Sequence, residues 1–161
     1  MSYTLGDLMN IDATRQSKAN LCTVELVKIY HELQPESILD KFKAFFGGRN
    51  LLNTYYVIFK LLVTSDTGKK HTVFIRTNPD FDLMNWEDNK AQVFCDCEDF
   101  KYRSAYTLEN SESLFLNDRT KMLLGAAITT PPKRSPSLLC KHAYAAVRWL
   151  INNYSNLMKT I

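Results

Sequence analysis

The apolar residues of the chain show helical spacing most clearly at the C-terminus. From Ala143 onward they recur every three or four positions, which predicts one long helix with a single buried face. These positions are Val147, Leu150, Ile151, Tyr154, Leu157, Met158 and Ile161. A second helix is predicted after Pro35, which suits a first helical turn, and Gly47-Gly48 would end it. Its apolar face would consist of Ile38, Leu39, Phe42, Phe45 and Phe46.

Alternating patterns predict strands between these helices. Residues 21–30 alternate, so that one face is mostly apolar. That face would carry Cys22, Val24, Leu26, Lys28 and Tyr30. Residues 55–64 and 71–76 are rich in β-forming residues and flank a turn at 65–69, which predicts a β-hairpin, and residues 91–94 predict a further strand.

The remaining segments are less periodic. Residues 1–20 are mostly polar and predict an extended arm, or a loop packed on a neighbour. Residues 100–108 predict a short helix, and residues 114–127 a second helix or an irregular insertion. Residues 129–132 form a stiff Pro-containing loop. The fold class predicted for residues 1–161 is therefore α+β in a single domain, with a sheet supporting packed helices.

Two tight pairs of metal-binding side chains stand out from this pattern. Cys95 and Cys97 are followed by Cys140 and His142, with 42 residues between Cys97 and Cys140. An extended turn brings residues i and i+2 to the same side, so that both sulfurs of the first pair can reach one ion. Residues two apart in a regular helix point in different directions, so Cys140 should precede a helix that begins near Lys141. The four side chains predict one closed zinc site, which holds structure and performs no chemistry.

The charge of such a site makes a further prediction. Three thiolates and a neutral imidazole give a zinc site a formal charge of −1, which favours backbone N–H groups at a helix start and nearby cations. Lys101, Arg103 and Lys141 are the candidate cations.

Other readings of these residues stay open at this point. A Cys95–Cys97 disulfide would close a small, strained ring, and the cysteines could instead be unconnected buried residues. Iron or another metal could replace zinc on ligand softness. Cys22 lies in an apolar run and is expected to be a small buried hydrophobe, whereas His31 and His71 are expected to be ordinary surface or strand histidines.

The paired ligands resemble the signature of the SWIM zinc finger, Cys-x-Cys followed by Cys-x-His. The run from Cys95 to Arg103 reads Cys-x-Cys-x-Asp-Phe-x-Tyr-Arg, and a Pro-Pro-Lys stretch precedes Cys140-Lys-His142. These features resemble a SWIM-like subgroup of tailed bacteriophages. The resemblance covers residues 90–150 and implies a ββα zinc module, a virion structural role and phage structural proteins as partners. The separation of the two pairs is long for a SWIM finger, so residues 104–139 form an insertion.

Composition and charge limit the other classes of function. The 161 residues are 45% hydrophobic, which is typical of a folded domain, and the N-terminus lacks the pattern of a signal peptide. No run is long enough to predict a membrane span, and synthesis in a reducing cytoplasm is expected. Residues 1–97 carry 11 Lys and Arg against 12 Asp and Glu, whereas residues 98–161 carry 9 against 5. This excess is small for a face that binds duplex nucleic acid.

The sequence contains no set of residues typical of catalysis, so we expect no enzyme activity. A zinc-stabilised interaction protein of a virion, in the tail, baseplate or neck, is the predicted function, with residues 1–20 and 104–139 as the predicted contact segments. Self-association is a further expectation. The alternative is a nucleic-acid-binding SWIM protein that assists recombination or transposition.

Overall fold

The computed structural model describes residues 2–33 and 55–160. The helix predicted near residues 35–46 lies outside the described residues. The fold class is α+β: the described part has four β-strands in one antiparallel sheet and six α-helices. No helix among the described residues is both long and apolar enough to cross a membrane.

The sheet has the strand order β1-β2-β3-β4, so each strand pairs with its neighbour in the chain. Its strands are β1 (Thr23–Leu33), β2 (Tyr55–Thr64), β3 (Lys70–Thr77) and β4 (Ala91–Cys95). The predicted hairpin and the predicted strand before Cys95 are confirmed. In β2 and β3 every second side chain is buried, as expected for strands with one face in the core.

Strand β1 is confirmed, but the alternation predicted for it holds only up to Leu26. Leu26 pairs with Leu61 and Lys28 with Lys60, so Val27 is the extra residue of a β-bulge. The bulge reverses the phase of the alternation. Beyond it Ile29 packs against the core, whereas Lys28 and Tyr30 are exposed. The placement of Lys28 and Tyr30 on the face of Leu26 was therefore wrong.

The extended arm predicted for residues 1–20 is also corrected. These residues form helices α1 (Leu5–Met9) and α2 (Ala13–Ala19), capped by the side chains of Thr4 and Asp12. Leu5 and Leu8 are fully buried, so the segment belongs to the core. Helices of five and seven residues are too short to show a periodic apolar pattern in the sequence. Only their N-cap residues could have predicted them.

The C-terminal helix α6 (Lys141–Met158) begins at the predicted residue and contacts all four strands. The region before it contains α3 (Glu98–Arg103), α4 (Ala105–Asn110) and α5 (Asp118–Leu124). The single short helix predicted at 100–108 is therefore two helices that meet at Ser104.

The insertion at 104–139 packs onto the sheet and contributes to the core. Val93 of β4 donates its N–H to Ser113 O at 3.0 Å and accepts from Phe115 N at 3.1 Å, so residues 113–115 run beside the edge of the sheet. Six apolar side chains of the insertion are buried in the same cluster as those of the sheet: Ala105, Leu108, Leu114, Phe115, Leu124 and Leu139. The insertion thus covers part of the edge that β4 would otherwise expose.

Candidate metal centre

The first cysteine pair lies where β4 passes into α3. Cys95 is the last residue of β4, and Cys97 is the N-cap of α3 with extended backbone angles. The N–H of Phe100 donates to Cys97 Sγ at 3.4 Å. One residue, Asp96, separates the end of the strand from the cap, and this short passage brings both sulfurs to one place.

The second pair lies at the start of α6. Cys140 is the N-cap, and its Sγ accepts a hydrogen bond from Ala143 N at 3.3 Å. His142 is the second residue of the helix. The predicted position of Cys140 on the cap is therefore confirmed. Both N-cap thiols receive a backbone N–H, which favours a thiolate at these positions because the positive end of a helix stabilises negative charge.

The two pairs converge on one buried point. The ligand atoms of Cys95, Cys97, Cys140 and His142 all lie within 4.8 Å of one another, and all four residues are buried. Zinc–sulfur bonds of about 2.3 Å in a tetrahedron would give sulfur–sulfur distances of about 3.8 Å, so a small contraction would suffice. This cluster can hold a metal ion.

The surroundings of His142 provide independent evidence that a metal ion fits this cluster. Its side chain is buried, and neither ring nitrogen has a hydrogen-bond partner among the described residues. Burying an imidazole with both nitrogens unpaired is unfavourable, and native proteins rarely leave such groups without a partner. A metal ion among the three sulfurs would satisfy one of these nitrogens.

The thiols influence one another's protonation. Burial raises the pKa of Cys95 and that of Cys140, because a buried thiolate is poorly solvated. Hydrogen bonds from the thiols of Cys140 and Cys95 hold the pKa of Cys97 well below its usual range. The three sulfurs together therefore favour a single shared negative charge, and a bound cation would allow all three to become thiolates.

His71 of β3 lies against this cluster. This contact was not predicted from the sequence. Its ring centroid is 4.1 Å from that of His142, and its Nδ1 is 3.1 Å from Asp96 Oδ1. The N–H of Asp96 donates to Thr72 O at 3.2 Å. Strand β3 thus contacts the Cys95–Cys97 turn and the imidazole of the second pair. The signal was present, because His71 has the same alternation as the buried Val73 and Ile75.

The three cations proposed from the sequence occupy different places. A cleft of about 440 Å³ opens beside Cys140 and His142, and both Lys141 and Arg103 line it. Lys141 Nζ donates to Asp66 Oδ1 at 3.0 Å, and this bond holds the pKa of Asp66 below its usual range. Lys101 does not line the cleft; its ammonium lies over the ring of Tyr102.

Carboxylates also pair with two arginines that line the cleft. Arg15 contacts both Asp12 and Asp99, and Arg103 Nη1 donates to Asp99 Oδ1 at 3.4 Å. These contacts join α2 to α3 across the cleft. The Arg15–Asp99 contact was not predicted from the sequence, because the two residues are 84 positions apart.

No protein-family model, no curated protein sequence and no solved structure matches the chain. Function is therefore inferred from the cluster and from the surfaces around it.

Proposed function

We propose that the chain is a zinc-stabilised interaction protein with no catalytic role. The observation that carries this proposal is the convergence of four buried ligand atoms within 4.8 Å, from two chain segments 42 residues apart. One ion there would fix the end of β4 and the start of α3 to the start of α6. The metal would contribute directly to the stability of the fold.

The donor set favours zinc over other metals. Three thiolates and one imidazole form a common structural zinc shell, whereas hard cations prefer oxygen ligands. Iron shares the preference for sulfur and is the alternative that metal analysis must separate. With four protein ligands no position is left for a reactive water, which supports a structural rather than a catalytic metal.

The arrangement around the ligands supports the SWIM-like assignment. Strands β3 and β4 are an antiparallel pair, with Val73 opposite Cys95, and α6 carries the second ligand pair. A hairpin and a helix around one ion are what the resemblance of Cys95–Arg103 implies. The insertion packs beside this unit and leaves the ligand geometry intact.

We further propose that the interaction partners are structural proteins of a bacteriophage virion. The support is the sequence resemblance of the two ligand segments to the SWIM-like proteins of tailed phages. Peptide mass spectrometry of purified particles tests this, with a non-structural phage protein as the contamination control. Detection of the chain at a stable copy number per particle is expected. Its absence from the particles would refute the virion role and leave the zinc site unaffected.

The cleft argues against the nucleic-acid alternative on the face nearest to the metal. Lys141, Arg103 and Arg15 are each engaged by a carboxylate, so their charge is already balanced. Phosphate binding would require these pairs to break. Duplex binding that falls steeply with rising salt concentration would instead support the alternative.

Metal analysis is the direct test of the proposed function. The protein should be purified from a reducing cytoplasm without added metal and analysed by mass spectrometry, with thermal melts before and after a strong chelator. One zinc per chain and a large fall in melting temperature on chelation are expected. No metal and an unchanged melt would contradict the proposal, and stoichiometric iron would correct the identity of the ion.

A further inference from the structure

A groove of about 660 Å³ runs between the first helices after the metal cluster and the loop that leads back to it. Tyr102 and Tyr106 line one side, and Pro131 and Pro132 line the other. We call it the Tyr–Pro groove. Tyr102 is 60% exposed, and neither tyrosine hydroxyl has a hydrogen-bond partner among the described residues. Aromatic side chains exposed in a concave apolar surface are typical of protein-binding sites.

Most cations of this groove lack a carboxylate partner, unlike Lys141, Arg103 and Arg15 in the cleft beside the candidate metal site. Lys101, Lys133 and Arg134 line the groove, and none of them has a carboxylate partner among the described residues. Glu98 is the single groove carboxylate that lacks a cation, since Arg103 pairs with Asp99. The groove therefore carries a surplus of positive charge that the chain does not balance locally.

The groove is also held in shape. Arg103 Nε donates to Ser135 O at 3.0 Å, and Ser137 N donates to Arg103 O at 3.2 Å. These two bonds tie the loop after Pro132 to α3. A preformed groove requires little ordering when a partner binds, so more of the contact energy is available for affinity.

A loop between β3 and β4 has the complementary chemistry. We call residues 80–88 the acidic loop; its carboxylates are Asp80, Asp82, Glu87 and Asp88, all exposed and none paired with a cation in the described part of the chain. Asn85 Nδ2 donates to Asp82 Oδ2 at 2.7 Å, and this bond keeps the pKa of Asp82 below its usual range. The Asp82 carboxylate is therefore negative at neutral pH, and the loop contains four acidic residues and no Lys or Arg.

Met84 projects from the middle of the acidic loop. Its side chain is 89% exposed, whereas its neighbours Leu83 and Trp86 pack against the core. Asn89 fixes the loop by donating to Asp82 O at 2.7 Å and to Asn85 O at 3.0 Å. A flexible, polarisable Met side chain on a rigid loop is well suited to fill an aromatic groove.

The acidic loop and the Tyr–Pro groove lie towards opposite ends of α6. The ring centroid of Phe81, in the loop, is 4.3 Å from that of Tyr154, whereas Arg103 lines both the groove and the cleft at His142. His142 and Tyr154 are twelve positions apart in the helix, which corresponds to about 18 Å. One copy therefore cannot place its own loop in its own groove.

We propose that a second copy of this chain inserts its acidic loop into the Tyr–Pro groove, with Met84 between the tyrosines and prolines and the carboxylates facing Lys101, Lys133 and Arg134. The contact joins two different surfaces, and each copy fills the groove of the next, so that repetition produces a ring or a filament; a reciprocal exchange of loops about a two-fold axis would stop at a dimer. The proposal names the partner for the interaction protein proposed above and rests on that function. Ion pairs at the rim make the association sensitive to salt.

Light scattering after size exclusion, over a range of chain concentrations, tests the contact. The wild type is expected to form species larger than dimers, and the mass should fall at high salt. Met84→Asp and the double variant Lys133→Glu, Arg134→Glu should each weaken association about tenfold or more. Met122→Asp is the matched control, because Met122 is 84% exposed on α5 and does not line the groove.

Mixing the two variants tests whether the loop of one copy contacts the groove of another, and the mass of the wild type separates a head-to-tail series from a reciprocal dimer. The loop variant retains an intact groove and the groove variant retains an intact loop, so one good contact remains per pair. A discrete one-to-one dimer is expected from the mixture, whereas each variant alone stays monomeric. A mixture that stays monomeric would overturn the contact between loop and groove, and a wild type that stops at a dimer would overturn the head-to-tail arrangement.

Two other results would overturn the contact itself. One is a wild type that stays monomeric up to roughly millimolar chain concentration, where even weak specific contacts are populated. The other is association of the Met84 and Lys133/Arg134 variants that equals that of the Met122 control. Zinc content measured on the same samples separates the two proposals: a monomer with one zinc per chain contradicts only the docking, and a metal-free chain contradicts the zinc-based function.

Discussion

The imidazole of His71 stacks on that of His142 with ring centroids 4.1 Å apart and planes inclined by 31°. His142 belongs to the candidate metal cluster, and His71 contacts this cluster from β3, one of the two middle strands of the sheet. Through Asp96, His71 also contacts the turn between the first two cysteines. One strand residue therefore touches both halves of the cluster.

This contact predicts that His71 positions the ligands. His71→Ala should lower zinc affinity about tenfold or more, because residues that orient ligands typically contribute on this scale. His71→Phe retains a ring against His142 but loses the bond to Asp96, so an intermediate affinity is expected. Competition with a chelator of known affinity provides the measurement. The exposed strand residue His31, replaced by Ala, is the control; an affinity for His71→Ala equal to that of the control would show that the stack does not orient the ligands.

A second prediction concerns the effect of replacing single cysteines by serine. Serine is a good N-cap, so Cys97→Ser and Cys140→Ser preserve the cap hydrogen bond and remove only the metal ligand. Both variants should lose zinc and be destabilised by roughly 4 kcal/mol or more in chemical denaturation. Cys22→Ser should retain zinc, since Cys22 lies outside the cluster. Equal zinc loss in all three variants would show that the ligand set is wrong.

A third prediction concerns where the structure loosens when the metal is removed. The N–H groups of Phe100 and Ala143 bond to the two cap sulfurs, so chelation should speed hydrogen exchange first at the starts of α3 and α6. Leu61 and Val73, at the centre of the sheet, should remain protected for longer. Exchange measured by mass spectrometry with and without chelator provides the comparison. Uniform acceleration throughout the chain would mean that the whole domain depends equally on the ion.

The bulge in β1 makes a fourth prediction. Deleting Val27 leaves Leu26 opposite Leu61 and Lys28 opposite Lys60, and Ile29 still faces the core. The deletion should therefore change the free energy of unfolding by no more than roughly 1 kcal/mol. Deleting Leu62 in the central strand β2 should cost roughly 4 kcal/mol or more, because every later residue changes faces. Comparable losses in both deletions would show that the bulge is required for the fold.

The metal cluster and the elements that carry it were predictable because their signals are local. Backbone geometry decides whether side chains two residues apart can reach one ion, both in a turn after a strand and at the start of a helix. This rule placed Cys97 and Cys140 correctly. The hairpin was equally clear from its β-forming residues and turn. These features do not depend on what packs against them.

The features that were missed depend on contacts between distant parts of the chain. His71 has the pattern of an ordinary strand residue, and only the fold brings Asp96 and His142 against it. Val27 is apolar whether or not it forms a bulge. The Arg15–Asp99 contact joins residues 84 positions apart. Each of these is decided by tertiary packing, to which periodicity and local spacing are insensitive.

The length of the insertion affects the entropy of closing the chain around the ion. An ion held by Cys97 and Cys140 closes a loop of 42 intervening residues, and it acts on the unfolded chain much as a cross-link does. The entropic cost of closing such a loop grows slowly, by about 0.6 kcal/mol for each doubling of its length. Adding residues to an exposed part of this segment therefore adds little to the entropic cost, whereas its buried side chains belong to the core and cannot be replaced as freely. The exposed loop at 129–134, which forms one side of the Tyr–Pro groove, can thus gain residues at little entropic cost while an ion holds the two ends of the segment together.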